Sequence, residues 1–173
     1  MNTPAQMLSY DAMEERIRLD EVSVFAGKLS FLIPHDWDET SEEDHYMYCH
    51  PGTDSGWLRV SLITSKPLDE TPARSLKRLF DGRKNVTQDK QTGNWIATHE
   101  KDSEEEGTKV HLYYWFVANI IEPDLVREAV FTYTVLSDRV NDHETAKMVN
   151  LIGQIVSWAN FSPEISGSTG SNS

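Results

Sequence analysis

KVHLYYWFVANIIEPDLVREAVFTYTVL, residues 109–136, holds two strand-like runs, Val110 to Ile121 and Leu125 to Leu136, joined by Glu122-Pro123-Asp124. Both runs are rich in β-branched and aromatic residues, which fit a pleated surface. Pro123 offers no amide hydrogen to a ladder, so the chain reverses at Glu122 to Asp124 and the stretch reads as a long antiparallel hairpin. In the first arm Val110, Leu112, Tyr114, Phe116, Ala118 and Ile120 share one face. His111, Tyr113, Trp115, Val117, Asn119 and Ile121 share the other. Neither face is cleanly polar. Such a strand belongs in the middle of a sheet covered on both sides, or covered on one side with a groove on the other.

Downstream, Asn141 or Asp142 caps a helix that runs to about Trp158, with an apolar face of Ala146, Met148, Val149, Leu151, Ile152, Ile155, Val156 and Ala159. That helix is expected to lie across the sheet, and one arrangement has it cover the Leu112-Tyr114-Phe116 face. Tyr113, Trp115 and Val117 are then either packed by Leu76, Leu79 and Phe80 or open to a partner. These three come from a short helix whose start is marked by Thr71-Pro72, a cap residue followed by a first-turn proline. The same helix carries Arg74, Lys77 and Arg78, with Arg83 and Lys84 just beyond, the one basic cluster in the chain.

The remaining segments read as short strands and acidic loops. Val86 to Asp89 and Trp95 to His99 flank a turn at Thr92-Gly93-Asn94, and Glu100 to Gly107 reads as an exposed acidic turn. Glu21 to Ala26 and Leu29 to Ile33 flank Gly27-Lys28. Tyr46 to Cys49 and Trp57 to Ile63 flank a turn at residues 51–56, and residues 36–44 read as a solvated loop. Residues 4–16 suggest a short helix or mobile arm, and the Ser- and Gly-rich tail suggests disorder. The expected organisation is an arm over 1–19, one α+β domain over 20–161 and a tail over 162–173. Within the domain, an antiparallel sheet of six to eight strands has helices packed on it.

With 173 residues, 38% of them hydrophobic, the chain can bury one sizeable core. Lys plus Arg number 16 against 28 Asp plus Glu, a net −12, which argues against general nucleic-acid binding or attraction to anionic lipid. The single cysteine, Cys49, allows no intrachain disulfide and fits a reducing compartment. Residues 1–15 lack a basic start and an apolar core, and no apolar run reaches the about 18 residues of a membrane span. A soluble cytoplasmic protein is expected.

His35, Asp36, Asp38, His45, Cys49 and His50 place six possible metal ligands within sixteen residues. They form no familiar ligand signature: no His-x-x-x-His pair sits on a helix, and there is one Cys. No metal or cofactor is therefore expected, with His35, His45 and His50 the positions to inspect. Cys49 could pair with His50, His99 or His111 as a thiolate, but no nucleophile turn accompanies it, so it reads as a small buried residue. Partner binding has better candidates. Tyr113, Trp115 and Val117 on the central strand, with Trp57 and Trp95 on its neighbours, either fill the core beneath a helix or, where uncovered, make an aromatic sheet face suited to a peptide or helix. Arg74, Lys77 and Arg78 suit an acidic partner.

The run Leu29-Ser30-Phe31-Leu32-Ile33-Pro34-His35-Asp36-Trp37, with the order of elements over residues 20–161, resembles the PsbP-like fold, where an apolar strand ending in Pro and then Trp opens the domain. The resemblance implies an α/β/α sandwich. That fold includes a photosystem extrinsic subunit, a Ran-binding yeast protein and effector-associated chaperones of type VI secretion, mainly binding proteins, so no catalytic residue carries over. It implies a non-enzymatic binding or adaptor protein with a protein or peptide client, in particular a chaperone for a secreted effector. Two alternatives stay open: an acidic immunity or inhibitor protein that covers a basic toxin, and a metal-dependent enzyme.

Overall fold

The computed structural model describes residues 7–8, 17–52 and 55–162. In chain order its elements are β1 (Met7–Leu8), β2 (Ile17–Val24), β3 (Leu29–Pro34), β4 (Asp38–Ser41), β5 (His45–Cys49), β6 (Trp57–Ser65) and α1 (Pro72–Phe80). There follow β7 (Thr87–Gln88), β8 (Trp95–Glu105), β9 (Thr108–Ile121), β10 (Leu125–Leu136), a 3-10 turn (Ser137–Arg139), α2 (His143–Ser157) and β11 (Asn160–Phe161). The expectations for residues 4–16 and for the tail lie outside the described residues, except that Met7–Leu8 pairs as a strand with β2.

The long hairpin is the middle of a seven-stranded antiparallel sheet in the order β4-β5-β6-β10-β9-β8-β7. A four-stranded sheet, β1-β2-β3-β11, lies separately. It rests on the inner face of the large sheet through Phe31, whose ring meets Tyr48 edge-on at 5.6 Å and Phe131 at 5.3 Å. Helix α2 covers the rest of that face, with Leu151, Ile152, Ile155 and Val156 packed into the same core. On the outer face α1 covers one corner, where Leu76 and Phe80 pack on Ala97, Ala118 and Val126. The layers are thus α1, the large sheet, and α2 beside the small sheet: an α+β fold. Each large apolar side chain buried this way contributes about 1.5–3 kcal/mol.

Register decides what each face carries. Phe131 pairs with Trp115 and Val60, and Tyr133 with Tyr113 and Leu58, so these residues share the inner face. Trp57 pairs with Thr134, which pairs with Leu112, and Trp95 pairs with Ala118, so both tryptophans stand on the outer face. The helices therefore take the opposite arrangement. α2 lies over Tyr113, Trp115 and Val117, which are 9%, 6% and 0% exposed, and α1 lies by Phe116 and Ala118. The reason is that both faces of β9 are apolar, so hydrophobicity alone cannot choose between them.

Three local expectations also change. Residues 38–41 form β4, fully exposed at the sheet edge, in place of a loop. Glu100 to Glu105 continue β8, and the turn shrinks to Glu106 and Gly107, whose φ values of 50° and 81° suit a two-residue hairpin. Cys49 is exposed on the outer face instead of buried.

Candidate functional site

Alternation along β9 raises Tyr113 and Trp115 toward α2. The helix crosses them at Gly153, where the absent side chain leaves space. A cleft of ≈ 570 Å³ runs there between helix and strand, lined by Tyr113, Trp115, Val149, Asn150, Gly153 and Gln154 among others. A recess of ≈ 430 Å³ beside it shares Tyr113, Trp115 and Val149 and reaches Thr98 and Glu100 on β8. Tyr113 and Trp115 therefore form a common floor, mostly buried, with their edges toward the cleft.

Each residue of this floor brings a donor, the indole N–H of Trp115 and the hydroxyl of Tyr113. The Trp115 indole N–H and the Tyr113 hydroxyl hydrogen-bond no described residue, although each residue is more than nine-tenths buried. Burial raises the Tyr113 pKa, and the neighbouring Glu100 carboxylate raises it further, so the hydroxyl keeps its proton. Next to it His111 hydrogen-bonds Asp102 through Nδ1 at 2.8 Å and Glu100 through Nε2 at 3.1 Å. Burial pulls the His111 pKa down, but these two carboxylates more than reverse the effect and leave it raised. The His111 ring also meets Tyr113 edge-on at 4.7 Å. The cleft thus offers neutral donors on an aromatic floor beside a carboxylate-flanked imidazole.

The other expected residues are dispersed. Trp57 is half-buried on the outer face, and Trp95 packs against Phe80 at 5.7 Å, in the corner under α1. Arg74, Lys77 and Arg78 are exposed on α1, and Arg78 pairs with Glu70. Each histidine inspected for metal has its own carboxylate: His35 with Asp20, His45 with Asp44 at 2.7 Å, and His50 with Asp36 at 2.9 Å. Among the described residues no three metal-ligating side chains converge.

Several residues escaped the sequence reading. Glu128 faces outward from β10 and is 8% exposed at its side chain, where Arg83 pairs with it. The Arg83 guanidinium also lies 4.8 Å from the Phe80 ring centre and 4.3 Å from that of Phe116, pinning the chain after α1 to the sheet. Asn94, 1% exposed, donates to the Ala159 carbonyl at 2.6 Å and accepts from Asn119 at 2.9 Å. Gly153 is in sequence no more than an isolated glycine inside a helical pattern, which costs helix propensity but does not by itself mark a site.

No family model matches the chain, and no curated protein matches it. Solved structures do. A Bacteroides thetaiotaomicron protein is 16% identical over 83% of this chain and 48% of its own, with a TM-score of 0.53. The chain thus spans about half the length of that protein. The Saccharomyces cerevisiae Ran-binding protein Mog1p is 10% identical over 85% of this chain and 97% of its own, with a TM-score of 0.49. PsbP from Synechocystis sp. PCC 6803 is 14% identical over 89% and 98%, with a TM-score of 0.39. The likeness is one of fold. Among the described residues no helix is long and apolar enough to cross a membrane.

Proposed function

We propose that this protein is a non-catalytic binding protein that takes a segment of a protein partner into the cleft between α2 and β9. The observation that carries the reading is the pair of buried donors, the Trp115 indole N–H and the Tyr113 hydroxyl, facing one cleft without a described partner. Buried donors without acceptors are costly, and the backbone carbonyls of a peptide would supply acceptors in a row. The cleft is open along its side, which suits a chain passing through. A chaperone that shelters an apolar segment of a secreted client is the specific form of this reading. The exposed thiol of Cys49 favours a reducing cytoplasm as its workplace.

A second reading draws on charge. Glu100, Asp102, Glu104, Glu105 and Glu106 line the outer end of the β8–β9 hairpin, all exposed, and would meet a basic enzyme as an inhibitor does.

The test is co-purification from the native host, followed by titration of the recovered partner. Trp115→Phe and Tyr113→Phe remove the donors and keep the rings. Each is expected to weaken binding about ten-fold, that is by about 1.4 kcal/mol, with the fold intact. Unchanged affinity in both variants overturns the cleft as the binding site. Affinity that collapses instead on Glu104→Lys with Glu105→Lys, and with rising salt, assigns the acidic reading.

A further inference from the structure

A second cleft lies by the first turns of α2 and shares no lining residue with the one assigned to a protein partner. It has a volume of ≈ 340 Å³ and is lined by Trp37, Tyr133, Val135, Arg139, Thr145 and Met148, with others at its mouth. We propose that this cleft binds a small uncharged molecule that carries a carbonyl acceptor on a compact apolar body, such as an amide or an ester.

Size and lining come first. The volume falls within the about 300–1,000 Å³ usual for small-molecule sites. Its walls are apolar: the Trp37 ring stacks on Tyr133 at 6.5 Å and 19°, and Val135 and Met148 complete them. Two side chains within bring donors, the Trp37 indole N–H, which can only donate, and the Thr145 hydroxyl. Trp37 and Thr145 are each 8% exposed, and neither side chain hydrogen-bonds a described residue. Thr145 does not even take the common helical outlet, the carbonyl four residues back. The first-turn amides of α2 add to them, because Asp142 occupies the cap position without a side-chain cap bond. Buried hydroxyl and indole donors lining one apolar cleft call for an acceptor.

Charge then selects a neutral ligand. Arg139 at the mouth stands 3.9 Å from Asp142, and Glu144 lies on the same rim with 85% of its side chain exposed. His50, also on the rim, pairs with Asp36. Each rim carboxylate thus faces a cation, Asp142 with Arg139 and Glu144 with Lys147, so the rim offers no excess of either charge to a charged ligand. An ammonium, in turn, has no lone pair to offer, and would leave the Trp37 indole N–H, which can only donate, without an acceptor. A carbonyl oxygen satisfies the donors and meets neither objection.

Benzamide, benzoate and benzylammonium are matched probes, to be titrated into the full chain by NMR. Benzamide is expected to shift the Trp37 indole and Thr145 signals saturably in the millimolar range, and the two ions to bind about ten-fold more weakly or not at all. Thr145→Val is expected to weaken benzamide binding at least about five-fold, whereas Thr145→Ser retains it and Tyr113→Phe leaves it unchanged. The proposal is overturned if benzamide leaves these signals unmoved. It is equally overturned if either ion binds as well as the amide, or if Thr145→Val binds like the parent. Because this cleft shares no lining residue with the α2–β9 cleft, its failure would leave the protein-binding reading untouched.

Discussion

The indole nitrogen of Trp115 faces Gly153 so closely that a Cβ built on the glycine would stand 3.5 Å from Nε1. That is ordinary contact distance, so a methyl group fits, and it would lie over the donor. Gly153→Ala is therefore expected to raise stability by about 0.5–1 kcal/mol through helix propensity while weakening partner binding. Urea denaturation reads the first effect and partner titration the second. A stabilised variant with full affinity would show that the Trp115 donor is not used.

Glu128 and Arg83 form a pair with most of their side-chain surface out of water. Removing one member leaves the other charge uncompensated, so Glu128→Ala is expected to cost about 3 kcal/mol in chemical denaturation. Replacing both, as Arg83→Met with Glu128→Leu, is expected to recover most of that loss. A double variant no better than the single one would assign the effect to packing of Arg83 on Phe80 and Phe116.

Gly56 lies against the sheet, and a Cβ there would come within 2.3 Å of the Thr134 carbonyl oxygen and 2.8 Å of Tyr133 and Val135. Backbone cannot yield as a side-chain tip does. Gly56→Ala should lower stability by about 2–3 kcal/mol, seen as a fall in thermal midpoint.

His111 sets a pH dependence whose sign follows from its raised pKa. The protonated ring is favoured by folding, so its contribution is fully present below the unfolded value of about 6.5 and fades as pH rises through the higher folded value. His111→Gln should therefore lose more stability relative to the parent at pH 5.5 than at pH 8.5. An equal loss at both would mean that Asp102 and Glu100 do not hold the proton. The imidazole signals of the parent locate the midpoint directly.

Much of the fold is legible in local pattern. Alternation and the Pro123 break place β9 and β10 within two residues, and Thr71-Pro72 places the start of α1. The faces are not legible, because Leu112, Tyr114 and Phe116 are as apolar as Tyr113, Trp115 and Val117. Which helix covers which row depends on register and crossing, properties of the assembled sheet. Charge misled at Glu100 to Glu105: β7 spans just two residues, so the outer end of β8 is an edge where carboxylates stay hydrated within a strand. Of the cleft, Tyr113 and Trp115 were readable as candidates. Gly153 and Thr145 gain meaning only once α2 is laid across the sheet, and Asn94 only once it meets the Ala159 carbonyl.

Strand β3, paired with β2 on one side, is completed on its far side by β11, through Asn160 opposite Ser30 and Phe161 opposite Leu29. During synthesis those partners leave the ribosome about 130 residues after β3 does. Until then Leu29, Phe31 and Ile33 lack α2 above them, and one edge of their sheet stays unpaired. The nascent chain therefore exposes the apolar face of β3 and one open edge of its sheet until α2 and β11 have been made, the interval in which it is most open to wrong pairing.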